Sequence, residues 1–199
     1  MKNDTSVPNV NFHYSVIDNS IEIIDLQSLC KRSQHFEHDP TKPHRVNFYL
    51  LIHIEKGIGA HFIDFNYHPF QSGSYIFISR SQIHAFDFSN ELKGKAILFT
   101  NDFIEQLQVN TKSPVFSPTF LDVSYSAVFT PDVALGQSGK VLFWEIEKET
   151  KLKERSRWIV MFLFSSLLLM LARAQPKAFQ HPLTNKQLQR FTSFMHLLE

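Results

Sequence analysis

Apolar and polar positions change rhythm twice along this chain. From residue 14 to residue 100, short runs rich in Ile, Phe, Tyr and Val recur between Gly, Asn, Asp and Pro. That is the pattern of strands separated by turns. The runs predict strands at 21–26, 45–54, 59–65, 75–78, 85–88 and 95–100, with breaks at Lys56-Gly57, Pro69, Ser72-Gly73 and Ser89-Asn90. No helical period interrupts them, so βαβ crossovers are not expected, and closely spaced short strands suit a sandwich or small barrel. Residues 101–139 carry Pro114, Pro118, Pro131, Gly136 and Gly139 and read as a connection with one short strand at 127–130. Helix formers then take over, with helices expected at 140–153 and 154–174. The expected class is mainly β with C-terminal helices (α+β).

The second of those helices is apolar on every side. Residues 158–172 read WIVMFLFSSLLLMLA between Arg157 and Arg173. A membrane-spanning helix needs about 20 apolar residues, and two serines interrupt this shorter run, so it reads as a buried helix and no membrane partner is expected. A helix hydrophobic all round must be covered all round. The strands can cover one side, and a second protomer covers the other. A homodimer is therefore expected, with Trp158, Phe162, Leu163, Leu167 and Met170 as interface candidates.

A further helix follows Pro182. Thr184 and Gln187 have capping-box spacing, and Leu188, Phe191, Met195 and Leu198 form an amphipathic stripe. The chain ends at Glu199 within that pattern, which reads as a cut inside a longer protein.

Composition narrows the choices. At roughly 150 residues per domain, 199 residues make one domain, or one and a fragment. Twenty Lys and Arg against 19 Asp and Glu leave a net charge of +1, which excludes binding nucleic acid through bulk positive charge. Twenty Phe supply apolar area for a core and for a pocket or interface besides. Phe48 and Phe77 fall on expected strands, Phe162 and Phe164 on the interface helix, Phe191 and Phe194 on the last one. A lone Cys30 excludes an internal disulfide and fits a reducing compartment. The first ten residues lack an apolar signal region, and the expected location is the cytoplasm.

Five segments occur in a telling order: Pro43-His44-Arg45-Val46-Asn47-Phe48-Tyr49, then Gly57-Ile58-Gly59-Ala60-His61-Phe62-Ile63-Asp64-Phe65, then Gly73-Ser74-Tyr75-Ile76-Phe77-Ile78-Ser79, then Gln82-Ile83-His84, then Ile97-Leu98-Phe99-Thr100. Together with the all-apolar helix ending Leu171-Ala172-Arg173, the order resembles the N-terminal cupin-like domain of AraC-family transcription regulators. The resemblance covers about residues 15–199. It implies an antiparallel cupin-like β-barrel (a double-stranded β-helix) that senses a small organic ligand, followed by a helical dimerisation segment. It also implies a helix-turn-helix domain, missing here, that reads promoter DNA. The divisions are then an N-terminal arm at 1–13, the barrel at 14–138, the dimerisation segment at 139–175, and a linker with the first DNA-binding helix at 176–199. In that family the arm can fold over the ligand. One loop departs from the family's Ser-Pro-Gly-Gln-x-His, reading Ser79-Arg80-Ser81-Gln82-Ile83-His84.

Many cupins are metalloenzymes with a first motif His-x-His-x3-Glu-x6-Gly. Counted back from Gly57, its ligand positions hold His44, Val46 and Leu50. His84 of the second motif brings the imidazoles to two, too few for the sites zinc takes, and Leu50 removes the carboxylate of a two-His-one-carboxylate iron site. His61 and Asp64 do not replace them, because positions i and i+3 of a strand face opposite sides. No metal, cofactor or catalytic residue is therefore expected. The alternatives are a metal-dependent cupin enzyme and a stand-alone carbohydrate-binding cupin.

With His44 facing the barrel interior, alternation sends Val46, Phe48, Leu50, Ile52 and Ile54 inward. Arg45, Asn47, Tyr49 and His53 then take a polar, solvent-facing side. The apolar face reads either as packed core or as a ligand cavity, since small-molecule sites are mostly apolar with a few placed polar groups. The candidate ligand-binding residues are His44, Arg45, Val46, Phe48, Phe77 and His84.

Overall fold

Backbone pairing sorts the apolar runs into two sheets. The computed structural model describes residues 7–11, 20–33, 39–87 and 91–175. The predicted helix at 188–198 and most of the N-terminal arm lie outside these residues. Strands β1 (Asn9–Val10), β2 (Ile21–Asp25), β3 (His44–Val46), β4 (Tyr49–Lys56) and β5 (Ile58–Ile63) are followed by β6 (Asn66–Gln71), β7 (Tyr75–Ile78), β8 (Ile83–Ala85), β9 (Lys93–Phe99) and β10 (Val128–Phe129). The front sheet has the order β1-β3-β8-β5-β6 and the back sheet β10-β7-β4-β9-β2. All pairings are antiparallel except β1 with β3.

The run expected as one strand at 45–54 is two, because the chain leaves the front sheet after Val46 and enters the back sheet at Tyr49. Among the described residues no ladder joins the sheets. The fold is mostly β with C-terminal helices, and a closed barrel is not seen.

Strand β6 was read as a break because of Pro69. It is a strand at the end of its sheet, with Pro69 paired to Ala60, and an edge tolerates a residue with no N–H to donate. On the paired strand Gly59 leaves room for the Phe70 ring, which a Cβ there would meet at 2.7 Å and displace.

Five α-helices and a 3-10 turn at Pro114–Phe116 complete the described chain: α1 (Leu26–Ser33), α2 (Asn101–Thr111), α3 (Pro118–Ser124), α4 (Val133–Lys151) and α5 (Arg157–Ala174). The first three fall in or beside stretches read as strand end or connection. Their starts are capped: Asp25 accepts from the Ser28 amide, Thr100 from Phe103, and Ser117 from Phe120 ahead of Pro118. Helix α4 begins at an Asp132 cap, well before the predicted residue 140, and runs unbroken across the 138/139 division. Gly139 does not end it. The Tyr75 hydroxyl lies where a Cβ would project.

Two cores result. Between the sheets lie Val46, Phe48, Leu50, Ile52, Ile54, Ile63 and Ile76, so the predicted inward alternation along 46–54 holds. On the far side of the back sheet, Tyr49, Leu51, Phe77, Ile97 and Phe99 pack beneath Phe143, Ile146, Phe164 and Leu168 of α4 and α5. Tyr49 and His53 are therefore buried, not solvent-facing as their polarity suggested. Helices cover that face, and His53 stacks on Tyr75 at 4.7 Å. Helix α5 is long and apolar enough to cross a membrane by length and composition. Eight of its residues are buried, seven of them apolar members of the helix-side core.

Candidate ligand-binding site

The inter-sheet core is apolar except at one end. There β3, β8 and β5 bring His44, His84 and His61 together. His44 pairs directly with His84 across the ladder, and His84 with Ile63, two positions beyond His61. The His44 and His84 rings are 4.4 Å apart, and His61 Nε2 lies 3.3 Å from His84 Nδ1, a hydrogen bond between imidazoles. His44 Nδ1 donates to the Lys42 carbonyl at 2.9 Å. All three side chains are 3% exposed or less. Burial, followed by the charges of His44 and His68, pushes the His61 pKa down to about 3. His61 is therefore a neutral donor–acceptor at physiological pH.

Phe86 closes this end. Its ring lies 6.2 Å from His44, 5.6 Å from His61 and 5.2 Å from His84, and its amide donates to the Pro40 carbonyl.

Not every expected site residue joins the cluster. His44 and His84 do, with Val46 and Phe48 in the adjoining apolar wall. Arg45 is exposed on the opposite side of β3. Phe77 faces the helices, its ring 4.7 Å from Tyr125 and 6.4 Å from Phe99, so it does not line the space between the sheets. Phe77 is opposite Leu51 in the ladder, and that register puts both on the helix side.

His61 was passed over. Asp64 lies apart from it in the turn after β5, with φ +45, and its carboxylate accepts from Gln82 Nε2 and the Ile83 amide. Strand parity places His61 beside inward-facing Ile63, a signal present in the sequence. Leu50, at the position of the cupin carboxylate, is buried among aliphatic side chains. Among the described residues no three His, Cys, Asp or Glu side chains are placed to hold a metal ion.

The loop between β7 and β8 forms its turn without the Pro and Gly of the family pattern. Ser81 takes φ +65, and the Gln82 side-chain carbonyl accepts from the Ser79 amide at 2.8 Å. This side-chain bond closes a turn that sets His84 on its strand.

Two spaces flank the cluster. Between the sheets, a cavity of about 10 Å³ borders His61, Phe70, Ile76 and Phe86, about the least that holds one water. That cavity, bordered by described residues, is too small for an organic ligand. Outside, a cleft of about 500 Å³ borders Pro43, Ala60, Phe62, Tyr67 and Phe86.

Residues 26–138, more than half of the chain, match the family model for the AraC-like ligand binding domain. No curated protein matches the sequence. Among solved structures, ToxT from Vibrio cholerae is similar at 12% identity, covering 89% of this chain and 65% of that one, with a TM-score of 0.43. An unsaturated-fatty-acid-bound ToxT from Vibrio cholerae strain SCE256 gives 10% identity, 92% and 65% coverage, and a TM-score of 0.46. The AraC-like transcriptional activator CuxR gives 11% identity, 89% and 57% coverage, and a TM-score of 0.43. The chain thus spans about 65% of the length of the ToxT chains.

Proposed function

The chain belongs to the family of AraC-like ligand-binding domains, and on that premise we propose that it is the small-molecule-sensing and dimerisation part of a cytoplasmic bacterial transcription regulator. A helix-turn-helix domain beyond it would read promoter DNA. The ligand binds between the two sheets. His44, His61 and His84 supply its hydrogen bonds, and Val46, Phe48, Leu50 and Ile52 its apolar wall. Arg45 and Phe77 have no part in this site.

One observation carries the reading: three buried imidazoles close an otherwise apolar core. Imidazoles add polar edges that must be hydrogen-bonded wherever they are buried. Three together are a poor way to fill a core and a good way to orient a polar ligand. The cavity beside His61 is about 10 Å³, so a ligand that enters it selects a conformation with the sheets parted at this end. Such a ligand shifts the population only by its difference in affinity for the two conformations.

Dimerisation uses the outer face of α5. Trp158 is 54% exposed and Phe162 58%, and the two rings stack at 6.1 Å. Leu163 and Met170 flank this stripe, half-buried. Leu167 belongs to the chain's own core, being fully buried, and is removed from the interface.

The test is a thermal-shift screen of small organic compounds on wild type and His84→Leu. The expected result is at least one stabilising compound whose affinity falls fivefold or more in the variant. Stabilising compounds indifferent to His84→Leu, or none at all, would contradict the assignment.

A further inference from the structure

Phe86 borders both spaces at once. On one side is the small cavity lined by His61, Phe70 and Ile76; on the other is the cleft on the outer face of the front sheet. Ladder register builds that outer face. Ala85 pairs with Phe62 and Phe62 with Tyr67, so these side chains stand in one row while His61, Ile63 and His84 point to the opposite side. The Phe62 and Tyr67 rings meet at 5.3 Å, and Tyr67 is 73% exposed. The cleft's volume falls within the range of small-molecule sites, about 300–1,000 Å³. The cavity behind Phe86 is far below it.

We propose that the cleft is the outer half of the ligand site, that Phe86 is the partition between the halves, and that the ligand is an uncharged molecule with a flat ring. The inference rests on the reading that ligand binds between the sheets. In this arrangement the ring lies against Phe62 and Tyr67, Phe86 swings away, and a polar edge reaches the imidazoles.

The lining argues the ligand's chemistry. Among the described residues no Lys or Arg borders either space, so none of them offers an anion a fixed cation. Any charge carried inward would be desolvated against the apolar wall, which disfavours the charged form. Aromatic edges and faces favour a planar partner.

The experiment uses Nile red, uncharged and flat, as the probe, with the anion 1-anilinonaphthalene-8-sulfonate as contrast. Stopped-flow fluorescence follows binding to wild type, Phe86→Ala, Phe86→Trp and Ala60→Trp, the last obstructing the cleft from the outer face. Phe86→Ala should speed Nile red association at least tenfold and Phe86→Trp slow it. Ala60→Trp should weaken affinity at least fivefold, and the anion should bind at least tenfold more weakly than Nile red. Where Phe86→Ala loses its far-UV circular dichroism, Phe86→Leu replaces it, with at least a threefold acceleration expected. Binding that responds to His84→Leu but to no cleft or Phe86 variant overturns the partition and leaves the inter-sheet reading standing. Binding that responds to neither, or no binding, overturns both.

Discussion

Acid should destabilise this domain well above the pH at which its carboxylates titrate. Two buried histidines are responsible. His61 sits between the sheets, faced by His44, His84 and His68, with its pKa pushed down to about 3 chiefly by burial. His53 sits under α4 against Tyr75 and Phe143, its pKa pushed down to about 4 by burial and then by the charge of Lys140. In the unfolded chain both titrate near 6.5. Between the folded and unfolded values the unfolded state binds more protons, so stability rises with pH across that window and is fully present only above about 6.5. Each group changes stability by about 1.4 kcal/mol per pH unit. From pH 7.5 to 5.0 that amounts to about 2 kcal/mol per histidine and about 4 kcal/mol for the pair, a large share of an ordinary domain's 5–15 kcal/mol. Asp25 and Glu147 have lowered pKa values and so lose protons below this range, leaving the comparison to the histidines. Urea unfolding at pH 7.5, 6.0 and 5.0 measures the effect. His53→Phe, which keeps the aromatic packing, should remove about half of it. A midpoint flat across this range, or rising as pH falls, would refute the reasoning.

Three further outcomes follow from named contacts. Ser81→Gly relieves a left-handed backbone conformation and should raise stability by about 0.5–1 kcal/mol in the same urea assay, after the entropy glycine adds to the unfolded chain. Phe162→Glu puts a charge in the exposed stripe of α5 and should convert dimer to monomer by light scattering at micromolar concentration with little change in unfolding midpoint. Phe77→Leu removes an aromatic ring from the helix-side core. It should cost about 1–1.5 kcal/mol of stability while leaving the affinity of any stabilising compound within about twofold, as calorimetric titration would show.

Much of the β architecture is written locally. The run at 75–78 became β7 without change, and alternation along 46–54 correctly found the residues that meet between the sheets. What alternation cannot report is what lies over the other face. Tyr49 and His53 look like solvent-facing polar positions until α4 and α5 cover them. Phe77 followed from the same blindness, because its side depends on being paired with Leu51 in the back sheet. Gly139 and Pro69 were read as breaks from their intrinsic preferences, yet tertiary context uses both, one for close approach of Tyr75 and one at a sheet edge. The cupin motif spacing singles out His44 and His84, and the ladder pairs them. His61 was not singled out, because it was judged as a metal ligand needing Asp64 and never as a third imidazole. Phe86 had no signal at all, since its role depends on two spaces meeting at one ring.

The central claim is that ligand is held by the histidines between the sheets. The direct measurement is a nitrogen–proton correlation spectrum of the imidazoles, titrated with a compound selected by thermal stabilisation. The account predicts saturable shifts of His44, His61 and His84, with His53 on the far side of the back sheet unmoved. Saturation of binding with no shift at any of the three would contradict it.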